Sequence, residues 1–232
     1  MSDTPTTATD TMMVDTPTTA TDTMMGDTPI TDTMMVDTPI TDTMMGELIS
    51  EISYIQNCSS NKNRDETSLS YLIDRQLSQS DCIKLGIAVE SYFTGCITKF
   101  SPLINIRPSN SKGQKEKDIL FIDDERKQIY YTEVKNNLNL DTEKSKTTYE
   151  KCLKIREELT LEGYTINWCL LGARYIHSDN MPTKITKKYS SIKDNLFGVN
   201  QFLEMYHIKF SFTNETYKKL LNDIANSCFA DI

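Results

Sequence analysis

Asp118-Ile-Leu-Phe-Ile-Asp-Asp-Glu-Arg-Lys-Gln-Ile-Tyr-Tyr-Thr-Glu-Val-Lys135 reads as two strands joined by a charged turn. Ile119–Ile122 is a short apolar run, and Ile129–Val134 is rich in β-branched and aromatic residues. Side chains alternate along a strand, so Tyr131, Glu133 and Lys135 share one face and Tyr130, Thr132 and Val134 the other. A four-residue loop, Asp124 to Lys127, sets Asp123 opposite Gln128 and, counting back, Asp118 opposite Glu133. Opposed residues have Cβ atoms roughly 4.5–5.5 Å apart. Two carboxylates that close repel unless a cation lies between them. The pattern therefore points to a divalent-metal site beside a basic group, with a surface Glu133–Lys135 salt bridge as the plainer alternative.

The flanking sequence supplies context on both sides. Ser78-Gln79-Ser80-Asp81 offers N-caps for a helix to about Thr98, with Leu85, Val89, Phe93 and Ile97 as its core stripe and Glu90 beside it. Shorter helices are expected over Gly46–Gln56 and Thr67–Leu77, and a strand around Ile104–Arg107. After Lys135 the chain predicts a helix from Asp141 to about Leu159 and a buried strand, Ile166–Leu171. A strand–helix–strand crossover after an antiparallel hairpin implies an α/β fold with a mixed central sheet flanked by helices. The C-terminal part predicts a Lys-rich loop, a helix near Asn195–Met205, a strand Tyr206–Phe212 and a last helix Asn214–Asn226.

The 232-residue chain carries a formal charge of −8, but the acidity is local. Residues 1–46 hold four tandem units, Asp3–Val14, Asp15–Gly26, Asp27–Val36 and Asp37–Gly46, with eight Asp and no Lys, Arg or Glu. Their Thr, Asp and Pro content cannot build a core, so this segment reads as a disordered low-complexity tail. Without it, 25 acidic residues balance 25 basic ones over residues 47–232, enough chain for one domain with a real core. A nucleic-acid partner is thus compatible with the charge. No apolar run is long enough to span a membrane and no signal-peptide pattern opens the chain, which suggests an intracellular, cytoplasmic protein. Six scattered cysteines without a Cys-x-x-Cys pair fit free thiols, and the isolated His177 and His207 show no metal-ligand spacing.

The order of a helix with Glu90, then Asp118, then Glu133-Val134-Lys135, then a helix and a buried strand resembles the PD-(D/E)XK nuclease superfamily. In length and layout the chain is most similar to the type II restriction endonucleases. The likeness covers about residues 82–172, and Lys117 stands where the family motif often has proline. The resemblance implies a restriction-endonuclease-like fold in which Asp118, Glu133 and the backbone carbonyl of Val134 hold Mg2+. It implies that Lys135 orients and helps deprotonate the attacking water, with Glu90 as an outer or second-metal ligand. It further implies a homodimer cutting double-stranded DNA at a short palindrome to leave 5′-phosphates, with a cognate methyltransferase as a genetic rather than a bound partner. A repair or structure-selective nuclease and a catalytically silent DNA-binding or interaction module are the alternatives. Candidate DNA contacts are Lys112, Lys115 and Lys117 before the hairpin, Asn136, Asn137 and Asn139 at its exit, and Lys144, Lys146 and Lys151 beyond.

Overall fold

The computed structural model describes residues 39–58, 78–107, 117–160 and 163–229. The expected helix Thr67–Leu77 and the candidate contacts Lys112 and Lys115 lie outside them. In chain order the elements are α1 (Asp42–Glu51), α2 (Ser53–Gln56), α3 (Gln79–Phe100), β1 (Ile104–Asn105), β2 (Ile119–Asp123) and β3 (Gln128–Lys135). Then come α4 (Thr142–Glu158), β4 (Thr165–Gly172), α5 (Thr183–Lys188), β5 (Leu196–Phe197), α6 (Val199–Met205) and α7 (Asn214–Cys228).

The five strands form one mixed sheet in the order β1-β2-β3-β4-β5. β1–β2 and β2–β3 pair antiparallel, and β3–β4 and β4–β5 pair parallel. The β2–β3 hairpin has the register its loop dictates, with Asp123 opposite Gln128 and Ile119 opposite Thr132. Local chemistry closes the turn. Asp123 accepts the Arg126 N–H at 2.9 Å, and Lys127 takes a left-handed φ of 54°.

Alternation along β3 sends its side chains into two cores. Tyr130 and Val134 join Ile119 and Phe121 in a core built with α1, α3, α6 and α7. Ile129 and Tyr131 join Leu120, Cys152, Ile155 and Ile185 in a second core beneath α4 and α5. The helix starts follow side-chain caps: Ser78 accepts from the Asp81 N–H and Asp141 from the Lys144 N–H. Among the described residues no disulfide forms, and burial raises the Cys96, Cys152 and Cys169 thiols to about 12. Among the described residues no helix is long and apolar enough to cross a membrane.

Three local expectations change. The first helix begins at Asp42, inside the fourth repeat, because Thr41 caps the Met44 N–H and Met45 is buried. The segment Tyr206–Phe212 is not a strand. His207 adopts φ 61°, which breaks extension, and Asn200 takes over the Phe212 backbone by accepting its N–H and donating to its carbonyl. A short β5 precedes α6, which starts at Val199 rather than Asn195.

Candidate active site

β3 ends in Glu133-Val134-Lys135, and the α4 face of the sheet receives the two charged side chains. The Glu133 side chain is only 1% exposed. It is compensated on both oxygens. Lys135 Nζ donates to Oε1 at 2.7 Å, Lys151 Nζ to Oε2 at 2.6 Å, and the Tyr131 hydroxyl to Oε2 at 3.1 Å. Burial pushes this carboxyl up, but the two ammonium groups outweigh it and hold Glu133 below the usual carboxylate range.

Asp118 lies one position before β2, at the place where the hairpin register sets it against Glu133. Its Oδ2 accepts the Val134 N–H at 2.8 Å, and Lys151 Nζ stands 4.0 Å from Oδ1. Burial first, and the charge of Glu133 second, push its carboxyl up to about 7. Burial lowers the Lys135 ammonium, while Glu133 and Asp118 raise it further, so it stays protonated. The pair Glu133–Lys135 is therefore no isolated surface salt bridge; it belongs to a partly buried cluster of four ionisable groups, Asp118, Glu133, Lys135 and Lys151.

The donor chemistry suits a hard divalent cation. Two carboxylates meet at the end of one hairpin, and Asp118 Oδ1 is held only loosely. In an extended strand the N–H and C=O of one residue point to the same side; the Val134 N–H points at Asp118, so its carbonyl faces that side too. Among the described residues no group of three His, Cys, Asp or Glu gathers. Two carboxylates and a carbonyl still suit Mg2+, which characteristically retains several waters.

A cleft of about 940 Å3 opens beside the cluster, lined by Glu133, Lys135 and the α4 residues Lys144, Thr147, Lys151 and Lys154. The helical spacing of 144, 147, 151 and 154 puts these side chains on one face. Lys144 is mostly exposed and pairs with Asp141 at 3.4 Å, and Lys146 pairs with Glu150 at 3.7 Å. Lys117 lies partly exposed just before Asp118.

The remaining predicted residues take other places. Glu90 sits on α3, whose buried side chains belong to the core on the other face of the sheet, and Arg107 Nη1 contacts its Oε1 at 2.6 Å. Asn136 packs against Gly86 of α3, and its Oδ1 is buried with no described hydrogen-bond partner. Asn137 accepts the Asn139 N–H at 2.8 Å and shapes the exit turn, while Asn139 is exposed.

Sequence reasoning missed two juxtapositions. Lys151 appeared only as one of several outlying lysines, since nothing in helical periodicity says which one reaches back to the sheet. His177 and His207, 30 positions apart in the chain, line one open cleft of about 650 Å3 with Glu204. Comparison with family models, curated proteins and solved structures gave no match.

Proposed function

We propose that this chain is a Mg2+-dependent endonuclease of double-stranded DNA with a restriction-endonuclease-like fold, cutting at a short palindrome as a homodimer. The observation that carries it is the meeting of Asp118 and Glu133 at the end of one hairpin, with Lys135 and Lys151 against them.

Asp118, Glu133 and the Val134 carbonyl would hold the cation. When bound, it lowers the pKa of a coordinated water and neutralises charge on the phosphoryl oxygens. The chain's own residues do the rest. Lys135 is held charged, so its part is that of a hydrogen-bond donor that orients the attacking water and the phosphoryl oxygen rather than that of a resting base. Lys144, Lys151 and Lys154 line the cleft among the acidic Asp141, Glu143 and Glu150, and their ammonium groups would be the ones to meet a phosphate backbone. Asn139, exposed beyond the strand exit, would be the candidate to read a base edge.

The test is incubation of the full chain with phage or genomic DNA and Mg2+. Discrete fragments with 5′-phosphate ends support the proposal. Cutting confined to forks, flaps or junctions would reassign it to repair. DNA binding without cutting under any divalent cation would make it a silent module.

A further inference from the structure

Once Asp118 is ionised the cluster is electrically balanced: two carboxylates, Asp118 and Glu133, against two ammonium groups, Lys135 and Lys151. Both oxygens of Glu133 are engaged by lysine. A divalent cation entering beside them would bring four positive charges against two negative ones. Like charges this close repel strongly in a partly buried site, so one ammonium has to give way.

The two lysines are not equivalent. Lys151 Nζ lies 2.6 Å from Glu133 Oε2 and 4.0 Å from Asp118 Oδ1, bridging the two carboxylates that a cation would share, whereas Lys135 Nζ pairs with Glu133 Oε1. Both side chains are partly exposed, but Lys151 reaches in from α4 and the cleft beside it opens toward Thr147 and Lys154, so moving outward requires only rotamer changes.

Resting on the metal-site reading above, we propose that Lys151 is a displaceable counter-ion. It neutralises Glu133 and Asp118 in the metal-free protein and swings into the cleft when the cation binds. There its charge joins that of the cation on the substrate's phosphate side. The site thus passes from neutral to positive on loading, which couples cation binding to polyanion binding. Lys151 is a positioning residue in this scheme.

The experiment is Mn2+ binding followed by electron paramagnetic resonance, on the full chain without DNA. Lys151→Met keeps the aliphatic stem but removes the competing charge, so Mn2+ should bind roughly tenfold more tightly or better. Lys151→Arg grips a carboxylate with a planar fork, so Mn2+ should bind more weakly than in wild type. Opposite shifts in the two variants are not what a merely structural lysine gives. Unchanged or weaker binding in Lys151→Met overturns the counter-ion role while leaving the metal site standing. Wild-type Mn2+ binding that is absent, or indifferent to Asp118→Asn, removes the site reading itself and this inference with it.

Discussion

The Asp118 carboxylate accepts the backbone N–H of Val134 at 2.8 Å, so its position is fixed by the main chain of the neighbouring strand. Geometry and charge at this residue can therefore be separated by substitution. Asp118→Asn retains an oxygen acceptor for Val134 and should fold with near wild-type stability while losing all cleavage. Asp118→Ala leaves the Val134 N–H without that partner and should cost about 1–3 kcal/mol. Urea unfolding of both variants, beside a cleavage assay, checks the pair.

Metal-free stability should carry the Asp118 titration. The folded state holds this proton up to about pH 7, whereas an unfolded Asp releases it near 4. Between those limits the folded state binds more protons, so this contribution is full at acid pH and is lost as pH rises through about 7. Glu133, held below its usual range, acts with the opposite sign: its contribution is present above the ordinary glutamate value and lost as pH falls below it. Denaturation in EDTA from pH 4.5 to 8 should show stability declining toward pH 8, and Asp118→Asn should flatten that decline. A wild-type curve that climbs steadily over the same range would falsify the assignment.

Added Mg2+ should reverse the trend at the alkaline end. The cation must take the place of the Asp118 proton, so its protection grows as that proton is lost. A site that binds only the folded state raises stability by about 2.7 kcal/mol at a hundredfold excess over Kd. Melting with and without Mg2+ at pH 6 and pH 8 should give the larger upward shift at pH 8, and chelation should abolish it.

Lys135→Met should leave the sheet intact and slow cleavage by roughly 10²- to 10³-fold, the size of effect seen when a transition-state hydrogen-bond donor is removed. Lys135→Arg should recover only part of that loss, because a fork-shaped guanidinium does not reproduce a compact ammonium. Single-turnover cleavage distinguishes this from weaker DNA binding.

Gly86 lets α3 approach the exit of β3. A Cβ there would lie 2.7 Å from Asn136 Nδ2. Alanine gains about 1 kcal/mol in helix propensity, so Gly86→Ala should be more stabilising when Asn136 is also alanine than when it is not. A double-mutant cycle should return a coupling above about 0.5 kcal/mol. Simple additivity would mean that the two side chains do not meet.

Much of the site was legible because its determinants are local. A four-residue turn fixes a register that carries unchanged over ten residues of strand, and this places Asp118 against Glu133. The helix starts at Ser78 and Asp141 were likewise written in their caps. What stayed hidden depends on contacts across the fold. Lys151 meets Glu133 only after α4 crosses back over the sheet, and Glu90 meets Arg107 only once β1 is in place. Thr41 was masked by its surroundings, since a capping threonine inside a Thr-rich repeat looks like every other copy. Tyr206–Phe212 had strand composition, yet the turn at His207 and the amide of Asn200 decide its path.

Both margins of the sheet are two residues long, Ile104–Asn105 on one side and Leu196–Phe197 on the other. Very short edge strands are one way a sheet resists adding a strand from another molecule. If the proposed function holds, a second copy sharing one DNA duplex would then meet this one through helices and loops. The two sheets would stay separate, and the spacing between the two cuts would be set by side-chain packing rather than by hydrogen-bond register.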